Sequence, residues 1–172
     1  MGHEYDEIRD CMLGWDITDY GLGDFDKVGF SLITIRNGSR AMAEKYPKVY
    51  AEKLLYLKEG QYSPNHFHWY KTEDIINRGG GNVLIRVYNS LPDGEIDYAS
   101  DVTVHTDGRI YTVPAGTQIR LTPGESIHIQ RKTNRPTGCS AANTPLQNNP
   151  EIVMLGWSTA FPNSFGISSR SP

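Results

Sequence analysis

Residues 63–81 read SPNHFHWYKTEDIINRGGG: His66 and His68 stand one residue apart, Glu73 follows five residues after His68, and three glycines close the run. On an extended strand, side chains at i and i+2 share a face, so the two imidazoles would lie side by side with Phe67 turned away. Neutral imidazole is a common ligand for divalent metals, and a carboxylate beside it shifts the preference toward Mn, Fe, Zn or Co. The four residues between His68 and Glu73 are enough to round a bend and return the carboxylate to the pair. A His-X-His pair by itself is more often the polar end of a strand, so the surrounding sequence has to decide.

That surrounding sequence is rich in strand signals. Phe30–Ile35, Lys53–Leu57 and Val83–Tyr88 are short apolar runs bounded by polar residues or glycine. Asp101–His105 and Ile110–Val113 flank Asp107-Gly108, a dipeptide that favours a tight hairpin turn. Gln118–Leu121 and Ser126–Ile129 flank Pro123-Gly124, which suits a type II turn because glycine accepts positive φ. Helical periodicity is faint, and predicts a turn or two over Met42–Tyr50 and over Thr72–Asn77. Seven or so short strands with no repeat and no linker predict an all-β sandwich or barrel.

The 172 residues suit a single domain with a working core. A net charge of −3 and the lack of any Lys/Arg run give no reason to expect nucleic acid. No apolar run approaches the ~18–20 residues needed to cross a bilayer. The opening MGHEYDEIRD is charged and lacks the apolar stretch of an export signal. Cys11 and Cys139 form no spaced pattern, which speaks against a disulfide framework or a thiolate zinc site. Together these features point to the cytosol, with neither membrane nor nucleic acid as partner.

Composition changes near Gln130. The segment 131–172 is polar, with a single acidic residue, Glu151, and no histidine. Only Ile152–Trp157 within it looks able to enter a core. The expected organisation is therefore a barrel domain over residues 1–130, followed by a divergent polar C-terminal segment over 131–172.

The spacing Gly60-x5-His66-x-His68-x4-Glu73-x6-Gly80 resembles the first signature motif of the cupin superfamily. More narrowly, LGWDIT (13–18), IRNGS (35–39), YAEK (50–53), HFHW (66–69), EDIINRGGG (73–81) and LTPGESI (121–127) resemble stretches of the D-lyxose isomerase family. The resemblance implies a cupin-type antiparallel β-barrel (jelly roll), whose closure at the C-terminus is in question here, and a homodimer. It implies a metal-dependent aldose–ketose isomerase that interconverts D-lyxose and D-xylulose, and also D-mannose and D-fructose, through an enediol. His66, His68 and Glu73 take the place of three of the family's four metal ligands. Mn2+ is the usual metal, with Co2+, Mg2+, Zn2+ and Fe2+ as alternatives.

Lys53 is the catalytic candidate. It shares a strand face with Leu55 and Leu57, and if that face looks inward its ammonium can meet a substrate oxygen or Glu73. Without the family it reads equally well as a solvated strand-end lysine. Asp74 is read either as orienting a ligand histidine or as opening a helical turn over 74–77, and Arg78 with Gly79–Gly81 as shaping a turn. Asp16 and Trp15 are read as lining an entrance or packing in the core, and His3 and His105 as surface residues. The family supplies its fourth ligand from a P-x-G-x-x-H segment after the strand ending near Gln130. Here Pro136-Thr137-Gly138 is followed by no histidine, and none occurs after His128. An altered gene end, a divergent terminus without activity, or substitution by His128 would each account for this. A non-catalytic sugar- or metal-binding cupin is accordingly the rival reading. A phosphosugar isomerase is disfavoured, since no Lys/Arg group to receive a phosphate is evident beside the site.

Overall fold

The computed structural model describes residues 3–68, 71–130, 139–144 and 151–159. A 3-10 turn (His3–Tyr5) and a short helix α1 (Asp6–Asp10) precede an all-β body. Its strands are β1 (Gly14–Thr18), β2 (Phe30–Arg36), β3 (Tyr50–Lys58), β4 (Glu73–Gly79), β5 (Val83–Ser90) and β6 (Ile96–Asp97). They continue with β7 (Val102–Thr106), β8 (Arg109–Val113), β9 (Gln118–Leu121), β10 (Ser126–Ile129), β11 (Cys139–Thr144) and β12 (Glu151–Thr159). An eight-stranded sheet runs β1-β2-β3-β12-β4-β10-β7-β8, and a four-stranded sheet is built on β5, which pairs with β11, β6 and β9. Every strand pair is antiparallel.

The core lies between the sheets. The large sheet contributes Leu57 from β3, Val102 and Val104 from β7, and Ile127 and Ile129 from β10. The small sheet contributes Val83, Ile85 and Val87 from β5 and Ile119 and Leu121 from β9. The alternation is that of strands with one buried face: Val102 and Val104 are buried while Thr103 is exposed.

Turn chemistry behaves as its sequence requires. Asp107 (φ 48°) and Gly108 (φ 76°) both have positive φ, the backbone of a type I′ hairpin, between β7 and β8. At Pro123-Gly124 the φ of Gly124 is 95°, and the amide of Glu125 donates to the Thr122 carbonyl at 3.0 Å. This turn carries the chain from the small sheet to the large one.

Two expectations are corrected. Thr72–Asn77 is not a helical turn: residues from Glu73 onward form β4, flanked by β10 on one side and β12 on the other. Pairing on both edges satisfies the backbone of β4 more completely than an isolated helical turn, whose nucleation is unfavourable. The reading of Asp74 as the start of that turn falls with it. Over Met42–Tyr50 one turn forms, with the amides of Lys45 and Tyr46 donating to the Met42 carbonyl, and Tyr50 already belongs to β3. Within 131–172, β11 pairs with β5, and β12 inserts between β3 and β4, where the stretch Ile152–Trp157 supplies a sheet strand. Pro136-Thr137-Gly138 and Trp69 lie outside the described residues. Among those described, no helix is long and apolar enough to cross a membrane.

Asn77 anchors the end of β4. Fully buried, its amide donates to the carbonyls of Gly81 (2.8 Å) and Leu121 (2.9 Å), and its side-chain oxygen accepts from the Gly79 amide (3.0 Å). Gly29 has a different constraint: at φ 105°, an added Cβ would fall 1.7 Å from the Thr18 carbonyl oxygen. Asn77→Ala is expected to lower the unfolding free energy by about 1–3 kcal/mol, because the buried Leu121 carbonyl and the partly buried Gly81 carbonyl lose their donor. Urea denaturation measures this, and a midpoint equal to wild type would refute it. Gly29→Ala should part the β1–β2 pairing, seen as loss of amide-exchange protection in β1 while β7 and β10 stay protected.

Candidate metal centre

His66 and His68 lie in the segment joining β3 to β4, outside the named strands, with His66 in a β-bridge. The rings nevertheless stand together, edge to face, with centroids 5.1 Å apart. Glu73, the first residue of β4, turns inward with Ile75 and Asn77 and meets them. The Nε2 of His68 donates to Oε2 of Glu73 at 2.9 Å. The Nδ1 of His66 lies 2.9 Å from the Pro64 carbonyl oxygen. Since a carbonyl only accepts, Nδ1 carries the hydrogen and Nε2 keeps its lone pair.

One potential ligand atom from each of His66, His68 and Glu73 falls within 4.8 Å of the other two. Two imidazole nitrogens and a carboxylate oxygen, all partly buried, are a donor set suited to a divalent transition ion. Protonation also suits it. Burial pushes the His66 pKa down, and the neighbouring charge of His68 adds to this, so the ring stays neutral. Burial alone would push the Glu73 carboxyl up. The Lys71 ammonium, 3.5 Å from Oε1, together with His68, outweighs burial and holds the carboxyl well below the carboxylate range. For His68 to coordinate through Nε2, its ring hydrogen would have to sit on Nδ1 instead.

Lys53 sits on β3 opposite Thr34 of β2, on the face that carries the core residues Leu55 and Leu57. That face looks inward. Burial lowers the Lys53 pKa and repulsion from Lys71 lowers it further, while Glu73 and Asp16 oppose both. Asp16 is exposed and lies opposite Leu32 in the β1–β2 register. Trp15, 76% exposed, does not pack in the core. Arg78 is exposed at the end of β4, beside Gly79 (φ 143°) and Gly80 (φ 92°), where the chain turns.

His128 and Asp74 lie together on the other face of the large sheet. They are register partners, and Nδ1 of His128 lies 2.6 Å from Oδ1 of Asp74. The neighbours of His128 in the chain, Ile127 and Ile129, point into the core. His128 thus stands apart from the three-residue cluster, and Asp74 contacts His128 rather than His66 or His68. His105 packs against His128 with ring centroids 6.1 Å apart, and is only partly exposed.

Two neighbours of the cluster escape the sequence reading. Lys71 is a cation beside the site, where none is evident from sequence; its signal is its position two residues before Glu73. Tyr20 packs near His66 with ring centroids 6.3 Å apart, and nothing local to residues 13–25 announces it.

Two antiparallel sheets around a core, with a His-X-His and glutamate cluster on the inner face, define a cupin-type protein. An Acinetobacter L-ribose isomerase crystallised with L-ribose shares this fold: TM-score 0.52, 16% identity, 84% of this chain and 65% of that one covered. The chain belongs to the D-lyxose isomerase family, whose profile matches residues 1–136. It is 47% identical over 123 residues to a D-lyxose/D-mannose isomerase of Escherichia coli O157:H7. It is 48% identical over 124 residues to the protein of that name from Serratia proteamaculans. Each match covers 72% of this chain and 53% of the relative, so the chain spans about half the length of these curated relatives.

The shifted groups set two pH windows for the metal-free protein. With its folded pKa below the ordinary 6.5, His66 contributes stability that is complete above 6.5 and is lost as pH falls through the folded value. Glu73, lowered from 4.5, contributes stability that is complete above 4.5 and disappears only in stronger acid. Melting temperature followed against pH should lose part of its upper slope in His66→Gln and part of its lower slope in Glu73→Gln. Identical profiles for wild type and both variants would contradict this assignment.

Proposed function

We propose that this chain acts in an aldose–ketose isomerase converting D-lyxose to D-xylulose, and D-mannose to D-fructose, with a divalent metal held by His66, His68 and Glu73. The observation that carries the reading is the meeting of these three residues with Lys53 and Lys71 on the inner face, in a member of the D-lyxose isomerase family. The substrates are those in the names of the relatives sharing 47–48% identity. Mn2+ is the proposed metal because the family resemblance implies it; mixed imidazole and carboxylate donors equally admit Co2+, Zn2+ or Fe2+.

The reaction moves a hydrogen from C2 to C1 of the sugar while carbonyl and hydroxyl exchange places, through an enediol. When bound, a divalent ion supplies Lewis-acid polarisation of the oxygens on those two carbons. Lys53, facing inward with a lowered pKa, donates to a substrate oxygen as its charge changes. Lys71 keeps Glu73 ionised and so available as a ligand.

One feature favours a second reading, a cupin that binds metal or sugar without turnover: among the described residues the cluster holds three candidate ligands. The two readings part in one assay. Protein loaded with Mn2+ is incubated with D-lyxose and D-xylulose is measured. The isomerase reading expects turnover that His66→Ala abolishes and that Lys53→Gln lowers by about 10²–10³-fold, the scale of a lost acid–base or electrostatic contact. Bound Mn2+ without D-xylulose would support the second reading, and absence of turnover with Mn2+, Co2+ and Mg2+ alike would end the first.

A further inference from the structure

We infer that Tyr20 is a positioning residue for His66, acting through its hydroxyl contact with Ser63 and through the Pro64 carbonyl that orients the imidazole. This rests on the metal-binding reading of His66 given above. Tyr20 follows β1 and is held with φ 59°, in the left-handed region that side chains other than glycine seldom occupy. Such backbone persists only where its surroundings over-determine it, and here they do. The Tyr20 amide donates to Oγ1 of Thr18 at 3.1 Å. The Asp19 carboxylate accepts from the amides of Gly21 and Gly23, each at 2.8 Å. Its ring makes an edge-to-face contact with Phe30 at 6.1 Å and leans toward His66 at 6.3 Å.

The hydroxyl of Tyr20 shares a hydrogen bond with that of Ser63, which is 5% exposed. Burial pushes the phenol up to about 12, so it is a neutral hydrogen-bonding group at ordinary pH. The chain from Ser63 to His66 is stiff. Pro64 has a fixed φ, and a residue preceding proline is confined to extended backbone. Holding Ser63 therefore narrows the conformations open to Pro64, whose carbonyl takes the Nδ1 hydrogen of His66. Outer hydrogen bonds of this kind select the tautomer and ring orientation of a ligand histidine. A loop 43 residues away in sequence thereby sets the lone pair that Nε2 offers the cluster.

The experiment compares wild type, Tyr20→Phe, Ser63→Ala and the double variant. Long-range proton–nitrogen spectra of the metal-free protein report the His66 tautomer, and calorimetric titration reports the Mn2+ dissociation constant. Wild type should show a single Nδ1–H tautomer. Each single variant should show a mixture and bind Mn2+ about 10-fold more weakly, the lower end of the range for lost outer-sphere partners. The double variant should bind no more weakly than either single one, since both remove the same contact. Tyr20→Phe keeps the ring and its packing, so a melting temperature near wild type accompanies these changes; Ser63→Ala serves if Tyr20→Phe fails to fold. An unaltered tautomer in both single variants overturns the inference, as does additive loss in the double variant. Failure of wild type to bind Mn2+, Co2+ or Zn2+ overturns the metal reading instead, while the tautomer spectra still decide the role of Tyr20.

Discussion

The candidate centre depends on β4 being paired along both edges. β10 and β12 flank it, so its backbone has partners on each side and the two-residue alternation of a strand is imposed on Glu73–Gly79. Glu73, Ile75 and Asn77 then fall on the inner face. Each has a different task there: Glu73 meets the histidines, Ile75 packs against the core, and Asn77 ties the glycine turn and the end of β9 to the strand. A partly buried carboxylate, a partly buried apolar side chain and a buried amide within five residues are tolerable only because each finds its partner.

Charge balance at the centre follows from that placement. A carboxylate taken out of water needs compensation, and Lys71 with His68 supplies it. Lys53 faces the opposite situation, a cation with another cation nearby, and its lowered pKa reflects burial and that repulsion. The same neighbourhood thus holds an acid that stays ionised and a lysine that gives up its proton more readily than usual. Groups pushed apart in this way are characteristic of sites that move protons.

Much of this architecture was legible in the sequence, and the rest was hidden for identifiable reasons. β9 and β10 have the limits that their apolar runs and the Pro-Gly turn announce, and Asp107-Gly108 makes the hairpin its residues favour. β1 is short and hard to read in sequence, and although Trp15 and Ile17 alternate with polar residues and glycine, the fold leaves both exposed. At β4 the Glu-Asp start suits a helical first turn, and the pairing that overrides it comes from strands that begin some fifty and eighty residues later. His66, His68 and Glu73 were legible together because they lie within eight residues. Tyr20 was invisible from sequence, since its relation to Ser63 spans 43 residues and exists only in the fold. Lys71 could have been found, as a charge alternating with Glu73 just ahead of the strand.

The adjacency of Glu73 and Asp74 has a consequence for fidelity. These neighbouring carboxylates serve opposite faces of one sheet and two different histidine groups: Glu73 with His66 and His68 inside, Asp74 with His128 beside His105 outside. Which carboxylate meets which histidines is set by the register of β4. A slip of one residue would invert the strand, sending the shorter acid inward and leaving the longer one to the surface. The resulting chain would keep its composition, its net charge and most of its ladder, yet Glu73 would be parted from His66 and His68, which lie outside β4 and would not turn with it.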